Sequence, residues 1–325
     1  MTEKKVIFIF PGQGSQYRGI GSDLFDRFES ARRTYEEASD IVGYDMAKLS
    51  FKDPENKINL TRYTQPVLLT HHIACLRSYR ELAAEPLVPQ VTAGHSLGEY
   101  SALVVAGSLP FGTALGLIKI RGELMGDKGE GEMSALPVGL EAARYWADKY
   151  FCAIGGINLS TQTVVAGASS DLDDLESDFV AENPRQRPVR LRTEGAFHTY
   201  YMVQAARQFR IALETSAIEP PEIGVLSNYA GRYHDSDPLQ IKAHLFFQLF
   251  HPVNWMGCLQ SALADGVNTF VEFGGGIGKG ETPAEKRPNL EGMIKKATRG
   301  TGHEIQYFPA INLSSIEAAA RPEQH

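Results

Sequence analysis

The sequence predicts an α/β protein built around a parallel sheet, and three observations carry that expectation. Val6-Ile7-Phe8-Ile9-Phe10 is an unbroken apolar, β-branched and aromatic run closed by Pro11-Gly12, the pattern of a strand buried on both faces. Gln90 to Ala93 leads through the Gly94-His95-Ser96 turn into a helical Leu97 to Ala106, the strand, tight turn and helix order of crossover units. A second apolar run, Gly266 to Phe273, repeats the first signal.

The remaining elements follow in order. Asp23 to Tyr44 and Thr64 to Leu82 read as helices. From Glu132 the texture changes: Met133 to Leu136 extended, Leu140 to Tyr150 helical, Ala153 to Asn158 and Thr163 to Ala166 extended, Asp171 to Asn183 helical, Arg187 to Leu191 extended. This β-α-β-β-α-β order is the ferredoxin-like pattern. It is expected to form a small subdomain at residues 131–198, inserted into a large unit of residues 1–130 and 199–315. Beyond His198, Tyr201 to Thr215 reads as helix, Ile223 to Ser227 as strand and Pro238 to Phe250 as helix. Gly274 to Pro288 reads as a Gly-rich loop, and residues 316–325 as a polar tail.

Length and composition bound the function. At 325 residues the chain suits about two domains of ~150 residues. With 43% hydrophobic and 22% charged residues, the composition is that of a folded globular protein. The net charge of −7 argues against a duplex-coating nucleic-acid binder, which needs excess Lys and Arg. Cys75, Cys152 and Cys258 are odd in number and widely spaced, so neither a disulfide framework nor a thiolate metal site is indicated. The five-residue run Val6 to Phe10 is too short for a signal peptide or a membrane span, which makes a cytoplasmic location the default expectation.

The strongest chemical signal is Gly94-His95-Ser96-Leu97-Gly98, a G-x-S-x-G pentapeptide between a strand and a helix. Small residues on either side of Ser96 let a strained turn expose its hydroxyl, with the Leu97 amide facing the place where an oxyanion forms. A serine hydroxyl needs a base. The neighbouring His95 leaves the turn in another direction, and His71-His72 lies in an apolar helix. His198, after Gly195-Ala196-Phe197, stands at a loop-to-helix junction beside the small subdomain and is the candidate base. Gly12-Gln13-Gly14 after the first strand misses the dinucleotide fingerprint and instead offers an amide as a second oxyanion donor. Arg121 interrupts an apolar helical stretch; its guanidinium pairs either with a protein carboxylate or with a substrate carboxylate.

Together these motifs resemble those of the malonyl-coenzyme A:acyl carrier protein transacylases and the acyltransferases of polyketide synthases. The resemblance runs through Phe10-Pro11-Gly12-Gln13-Gly14-Ser15-Gln16, Gly94-His95-Ser96-Leu97-Gly98-Glu99-Tyr100, Arg121-Gly122, Asn158-Leu159-Ser160-Thr161-Gln162, Gly195-Ala196-Phe197-His198, Pro252-Val253-Asn254-Trp255 and Glu272-Phe273-Gly274. It implies an α/β-hydrolase-like core with a ferredoxin-like insertion and a site in the cleft between them. It further implies Ser96 as the acylated nucleophile, His198 as its base, and the main-chain carbonyl of Gln248 as the group that orients the base. The amides of Gln13 and Leu97 would be the oxyanion donors, Arg121 would hold a malonyl carboxylate, and Phe197 would be the malonyl-type choice beside the base. No resident cofactor or metal is implied; the substrates would be malonyl-coenzyme A and a phosphopantetheinylated carrier protein, in fatty acid or polyketide biosynthesis. A free-standing chain resembles members that act in trans.

Two departures stand out. Gly274-Gly275-Gly276-Ile277-Gly278 occupies the place where the family shows G-P-G-K-V-L, and Thr199-Tyr200-Tyr201 is bulkier than usual, so an altered acyl pocket or carrier-facing rim is expected. An editing hydrolase, a transferase for another acyl unit and a non-catalytic docking subunit are the competing readings; Arg121 argues against the first, and intact Ser96 and His198 against the last. An acidic carrier would dock on local positive charge, with Arg185, Arg187, Arg190 and Arg192 on the small subdomain and Lys295, Lys296 and Arg299 near the cleft as candidates.

Overall fold

Alternation along one strand organises the larger part of the molecule. In the computed structural model, which describes residues 4–321, β1 (Val6–Phe10) sends Val6, Phe8 and Phe10 into one core and Ile7 and Ile9 into another. Burial on both faces is why the run carries no polar residue. The first core is closed by α1 (Ser22–Arg27), α2 (Glu29–Val42), α3 (Met46–Phe51) and α4 (Thr61–Leu82), followed by β2 (Val91–Gly94), α5 (Gly98–Val105) and α6 (Phe111–Asp127).

The expected helix from Asp23 to Tyr44 is two helices. Phe28 between them is extended (φ −113°, ψ 135°) and buried, so the backbone kinks to deliver a ring into the core. The short α3 went unforeseen; Asp45 caps it by accepting from the Lys48 amide at 2.8 Å.

The small sheet is drawn from β3 (Glu132–Leu136), β4 (Ala153–Leu159), β5 (Gln162–Gly167) and β6 (Val189–Leu191), with α7 (Leu140–Lys149) and α8 (Ser169–Glu182) between them. Its strand order β4-β5-β3-β6, with antiparallel pairing throughout, is the ferredoxin-like arrangement. Leu136, Trp146, Val165, Leu172 and Phe179 fill the core under α7 and α8. The opposite face packs Met133, Ala135, Val164 and Ala166 with Met125 and Phe197.

The chain returns through a 3-10 turn at Tyr200–Met202, then α9 (Val203–Thr215), β7 (Gly224–Ser227), β8 (Arg232–Tyr233), α10 (Pro238–Gln248), α11 (Trp255–Ala264), β9 (Thr269–Phe273), α12 (Glu291–Thr298), β10 (Gln306–Ala310) and α13 (Leu313–Ala319). The large sheet has the order β10-β9-β1-β2-β7-β8, parallel except for the β7–β8 hairpin. The second apolar run enters the sheet only at Thr269, three residues later than expected. A 3-10 turn at Pro283–Glu285 interrupts the expected loop.

The polar tail expected over 316–325 starts later: Ile316 and Ala319 are buried in α13, and residues 322–325 lie outside those described. Val253, between α10 and α11, ties the large unit to β4, donating to Gly155 O at 3.1 Å and accepting from Ile157 N at 2.8 Å. Among the described residues, no helix is long and apolar enough to cross a membrane.

Candidate active site

The C-terminal ends of three adjacent parallel strands supply the floor of a cleft, the usual location for ligands in such sheets. The β1 exit gives Gly12 to Gly14, the β2 exit gives His95 to Leu97, and the β7 exit gives Asn228. The cleft has a volume of about 300 Å³ and is walled on the small-sheet side by Met133, Gly155, Gly156, Val164, Leu191 and Phe197.

The two glycines flanking Ser96 are there for room. A Cβ on Gly94 would lie 1.9 Å from Gly98 C, and one on Gly98 would lie 2.3 Å from Phe10 O. This close approach bends β2 sharply into α5 and leaves Ser96 at φ 53°. His198 opposite has φ 62°. A left-handed conformation costs a non-glycine residue about 1–3 kcal/mol, so both members of the facing pair are strained.

The Ser96 hydroxyl lies 2.8 Å from His198 Nε2, and His198 Nδ1 lies 2.7 Å from Gln248 O. A carbonyl only accepts, so Nδ1 carries the proton and Nε2 is left to accept from Ser96. Gln248 is the last residue of α10, where carbonyls lack an intrahelical partner and the helix dipole favours positive charge on the ring. His198 is nevertheless held down to about 3 as it stands, mainly by burial and next by the Arg121 guanidinium, with the Gln248 hydrogen bond opposing.

Arg121, on α6, is fully buried. Its Nη1 donates to Gln65 Oε1 at 2.7 Å, and its Nη2 donates to Ser96 Oγ and Gln248 Oε1, each at 3.1 Å. The Tyr100 ring lies 5.8 Å from its guanidinium carbon, and Nε has no partner among the described residues. All its acceptors are neutral, so a charged group is buried without an ion pair.

The amides of Gln13 and Leu97 donate to no acceptor among the described residues. Both residues line the cleft, and Leu97 opens α5, where the positive end of the helix dipole lies. Burial lowers His95, whose Nε2 turns to Asn158 Oδ1 at 3.1 Å, away from the hydroxyl, as its place in the turn requires.

Ser96, Leu97, His198, Arg121, Gln248, Gln13 and Phe197 thus converge on one cleft or its immediate wall. Neither unusual segment lines it among the described residues. Gly274 to Gly278 braces the β1 exit, with the Gly276 amide donating to Ser15 O at 2.8 Å. Tyr200 is exposed and stacks on Tyr201 at 4.6 Å between ring centroids.

The docking candidates differ in their surroundings. Arg190 is clasped by Glu132, Asp173 and Glu176, so its charge is spent within the small subdomain. Lys295 pairs with Glu291 at 2.6 Å across one helical turn. Arg185, Arg187, Arg192, Lys296 and Arg299 are exposed.

Four polar residues escaped the sequence reading. Gln65 anchors Arg121; Asn228 accepts from the Ser96 amide at 2.6 Å and donates to Gly94 O at 2.8 Å. Glu99 and His234 lie buried behind the turn, 2.7 Å apart. Glu99 could have been found: it is the one charged residue in the otherwise uncharged helix Leu97 to Ala106.

The profile of the acyl transferase domain family matches residues 7–274. The chain is 34% identical over 304 residues to a malonyl CoA-acyl carrier protein transacylase of Bacillus subtilis, covering 91% of each chain. Its fold is similar to that of the malonyl CoA-acyl carrier protein transacylase from Clostridium perfringens, with a TM-score of 0.86, 27% identity, and coverage of 98% of this chain and 97% of the other. A malonyl-transacylase solved in complex with a type II polyketide synthase acyl-carrier protein gives a TM-score of 0.83 at 29% identity, over 98% of this chain and 100% of that one. With the family profile spanning most of its length and the relatives matched almost end to end, the chain belongs to the acyl transferase domain family and is an acyltransferase.

Proposed function

We propose that this acyltransferase moves a malonyl group from coenzyme A to the phosphopantetheine thiol of an acyl carrier protein through an ester on Ser96. The observation that carries the reading is Arg121: a fully buried guanidinium in contact with no protein carboxylate, with Glu99 held off beyond the Gln248 amide, and 3.1 Å from the nucleophile. A buried unpaired charge is costly, and a substrate carboxylate held bidentately would relieve that cost. The names of the relatives point to the same substrates.

In this mechanism Ser96 Oγ attacks the thioester carbonyl carbon while its proton passes to His198 Nε2, and Gln248 O keeps the other ring proton in place. The amides of Gln13 and Leu97 hold the oxyanion. Collapse expels the coenzyme A thiolate, which takes the proton from His198. The carrier thiol then gives its proton to His198 and attacks the acyl-serine, and the second collapse returns the proton to Ser96. Side chains and substrates supply every proton and electron pair, so the proposed steps call for no resident cofactor. Phe197 beside the base crowds an α-methyl substituent, a discrimination worth about 1–3 kcal/mol.

The same reading divides the chain into a large unit of residues 1–130 and 199–315 and a small one of 131–198, supported by the two separate sheets. A cytoplasmic setting belongs to it as well; three buried free cysteines fit a reducing compartment. Intact mass after mixing with malonyl-, methylmalonyl- and acetyl-coenzyme A tests the proposal. A malonyl adduct that disappears in Ser96→Ala is expected. Release of free acid without an adduct, or an adduct formed from acetyl-coenzyme A in preference, would overturn it.

A further inference from the structure

We propose that His234 is a positioning residue for acyl transfer, acting through Glu99 on the Gln248 side chain; this rests on the acyl-serine reading above. Gln248 touches the nucleophile, the base and the guanidinium. Its backbone carbonyl holds His198, its Oε1 accepts from Arg121, and its Nε2 donates to the Ser96 carbonyl at 3.1 Å. Turned over, the same amide would set its NH₂ against the guanidinium.

What fixes its orientation is Glu99. The Gln248 Nε2 also donates to Glu99 Oε2 at 2.6 Å, and a carboxylate, which only accepts, admits no other arrangement. Glu99 stands three residues after Ser96 in the first turn of α5 and is fully buried. Its Oε2 further accepts from the Asn228 amide at 3.0 Å, and its Oε1 accepts from His234 Nε2 at 2.7 Å. Asn228 in turn holds the Ser96 amide, so one carboxylate ties the nucleophile turn to the helix that orients the base.

His234 is the side-chain clamp on the free end of that carboxylate. Its own amide donates to Val225 O at 2.8 Å, and its Nδ1 faces His244 Nδ1 at 3.3 Å. With Nε2–H committed to Glu99, the ring meets His244 through one hydrogen bond between the two Nδ1 atoms. His244 lies one helical turn before Gln248 on α10, so the chain of contacts closes on the helix it positions. Neither histidine lines the cleft, which leaves them no contact with substrate and only a positioning role.

The test compares His234→Gln with His234→Asn. A glutamine amide reaches the place of Nε2 and restores the donor to Glu99; an asparagine amide stops short of it. The readout is the rate at which a neutral fluorophosphonate labels Ser96, which needs the serine and base but no malonyl group or carrier. Labelling is expected to slow about tenfold or more in His234→Asn, since small misplacements of reacting groups are costly. In His234→Gln it is expected to stay near the wild-type rate at a similar melting temperature.

Wild-type labelling in His234→Asn, or equal slowing in both variants, would overturn the inference. If His234→Asn does not fold, Glu99→Gln carries the test: its amide offers one acceptor oxygen in place of two, and unchanged labelling there overturns the proposal. Acylation by malonyl-coenzyme A is followed in parallel. A wild type that labels but takes no malonyl group refutes the substrate reading and leaves the positioning result standing. A wild type that does not label refutes both.

Discussion

Replacing Arg121 by Gln should shift the acid limb of Ser96 reactivity upward. His198 acts as a base only when neutral, and it is held down to about 3 first by burial and then by Arg121. Arg121 Nη2 is 3.1 Å from Ser96 Oγ, which is 2.8 Å from His198 Nε2, so the cation lies no more than about 6 Å from the ring nitrogen. At an effective dielectric constant of about 20, a unit charge at that distance opposes the imidazolium by about 3 kcal/mol, roughly two pKa units. Burial persists in the variant, so the limb should rise toward about 5 and not reach the unperturbed 6.5. Brief labelling with a neutral fluorophosphonate between pH 4.5 and 8 reads this without needing a carboxylate on the substrate. The wild-type rate should be flat across the range, and that of the variant should fall below about pH 5. An acid limb that stays put, or moves down, would refute the electrostatic coupling. The same coupling has a consequence for catalysis in the proposed mechanism: a malonyl carboxylate that neutralises Arg121 strengthens the base at the moment of binding.

Two further outcomes are expected. His71 is held down to about 4 and His72 and His198 also lie below their usual range, all chiefly through burial, so between about pH 6.5 and 4 the unfolded chain binds protons that the folded one does not. Stability from these groups is present above pH 6.5 and lost as pH falls; Glu272, pushed up to about 7 by burial, acts in the opposite sense over about pH 4.5 to 7. His95 and His244 are lowered as well, chiefly by burial, so the histidines outweigh Glu272 and stability should fall with pH; urea midpoints that do not change between pH 7 and 5 would contradict it. Arg190→Gln should lower stability by about 1–3 kcal/mol, because three carboxylates lose their partner, while the KM for carrier protein stays unchanged; a several-fold rise in that KM would return Arg190 to the docking surface.

What could be read from the sequence was what depends on neighbours in the chain. Gly94 and Gly98 announce the turn because the clash they avoid lies within five residues and one adjacent strand. The run Val6 to Phe10 announces a central strand because burial on both faces removes polar residues locally. The break at Phe28 was hidden, since a helical pattern with one ring out of phase still scores as helix. Asn228 and His234 were hidden for a different reason: the partners that make them matter lie about 130 residues away, and a lone polar side chain gives no sign of which fold will bury it. The partners of Arg190 were hidden in the same way, because Glu132, Asp173 and Glu176 come together around it only in the folded small sheet and α8.

The resting geometry also orders the steps of the proposed reaction. The Ser96 oxygen donates its proton toward His198 and at the same time accepts from the Arg121 guanidinium. A lone pair engaged by a cation is a poorer nucleophile, and the same cation opposes the charge that His198 must take on. A thioester without a carboxylate meets both obstacles unchanged. A carboxylate that draws Nη2 away from the hydroxyl frees the lone pair and offsets the charge in one movement. Discrimination between malonyl and acetyl groups then resides in the attack itself as well as in binding, which places binding energy where it raises the rate of the chemical step. Gln248 is what makes the exchange possible, since its Oε1 keeps a neutral hold on Nη2 while its backbone carbonyl keeps the base aligned.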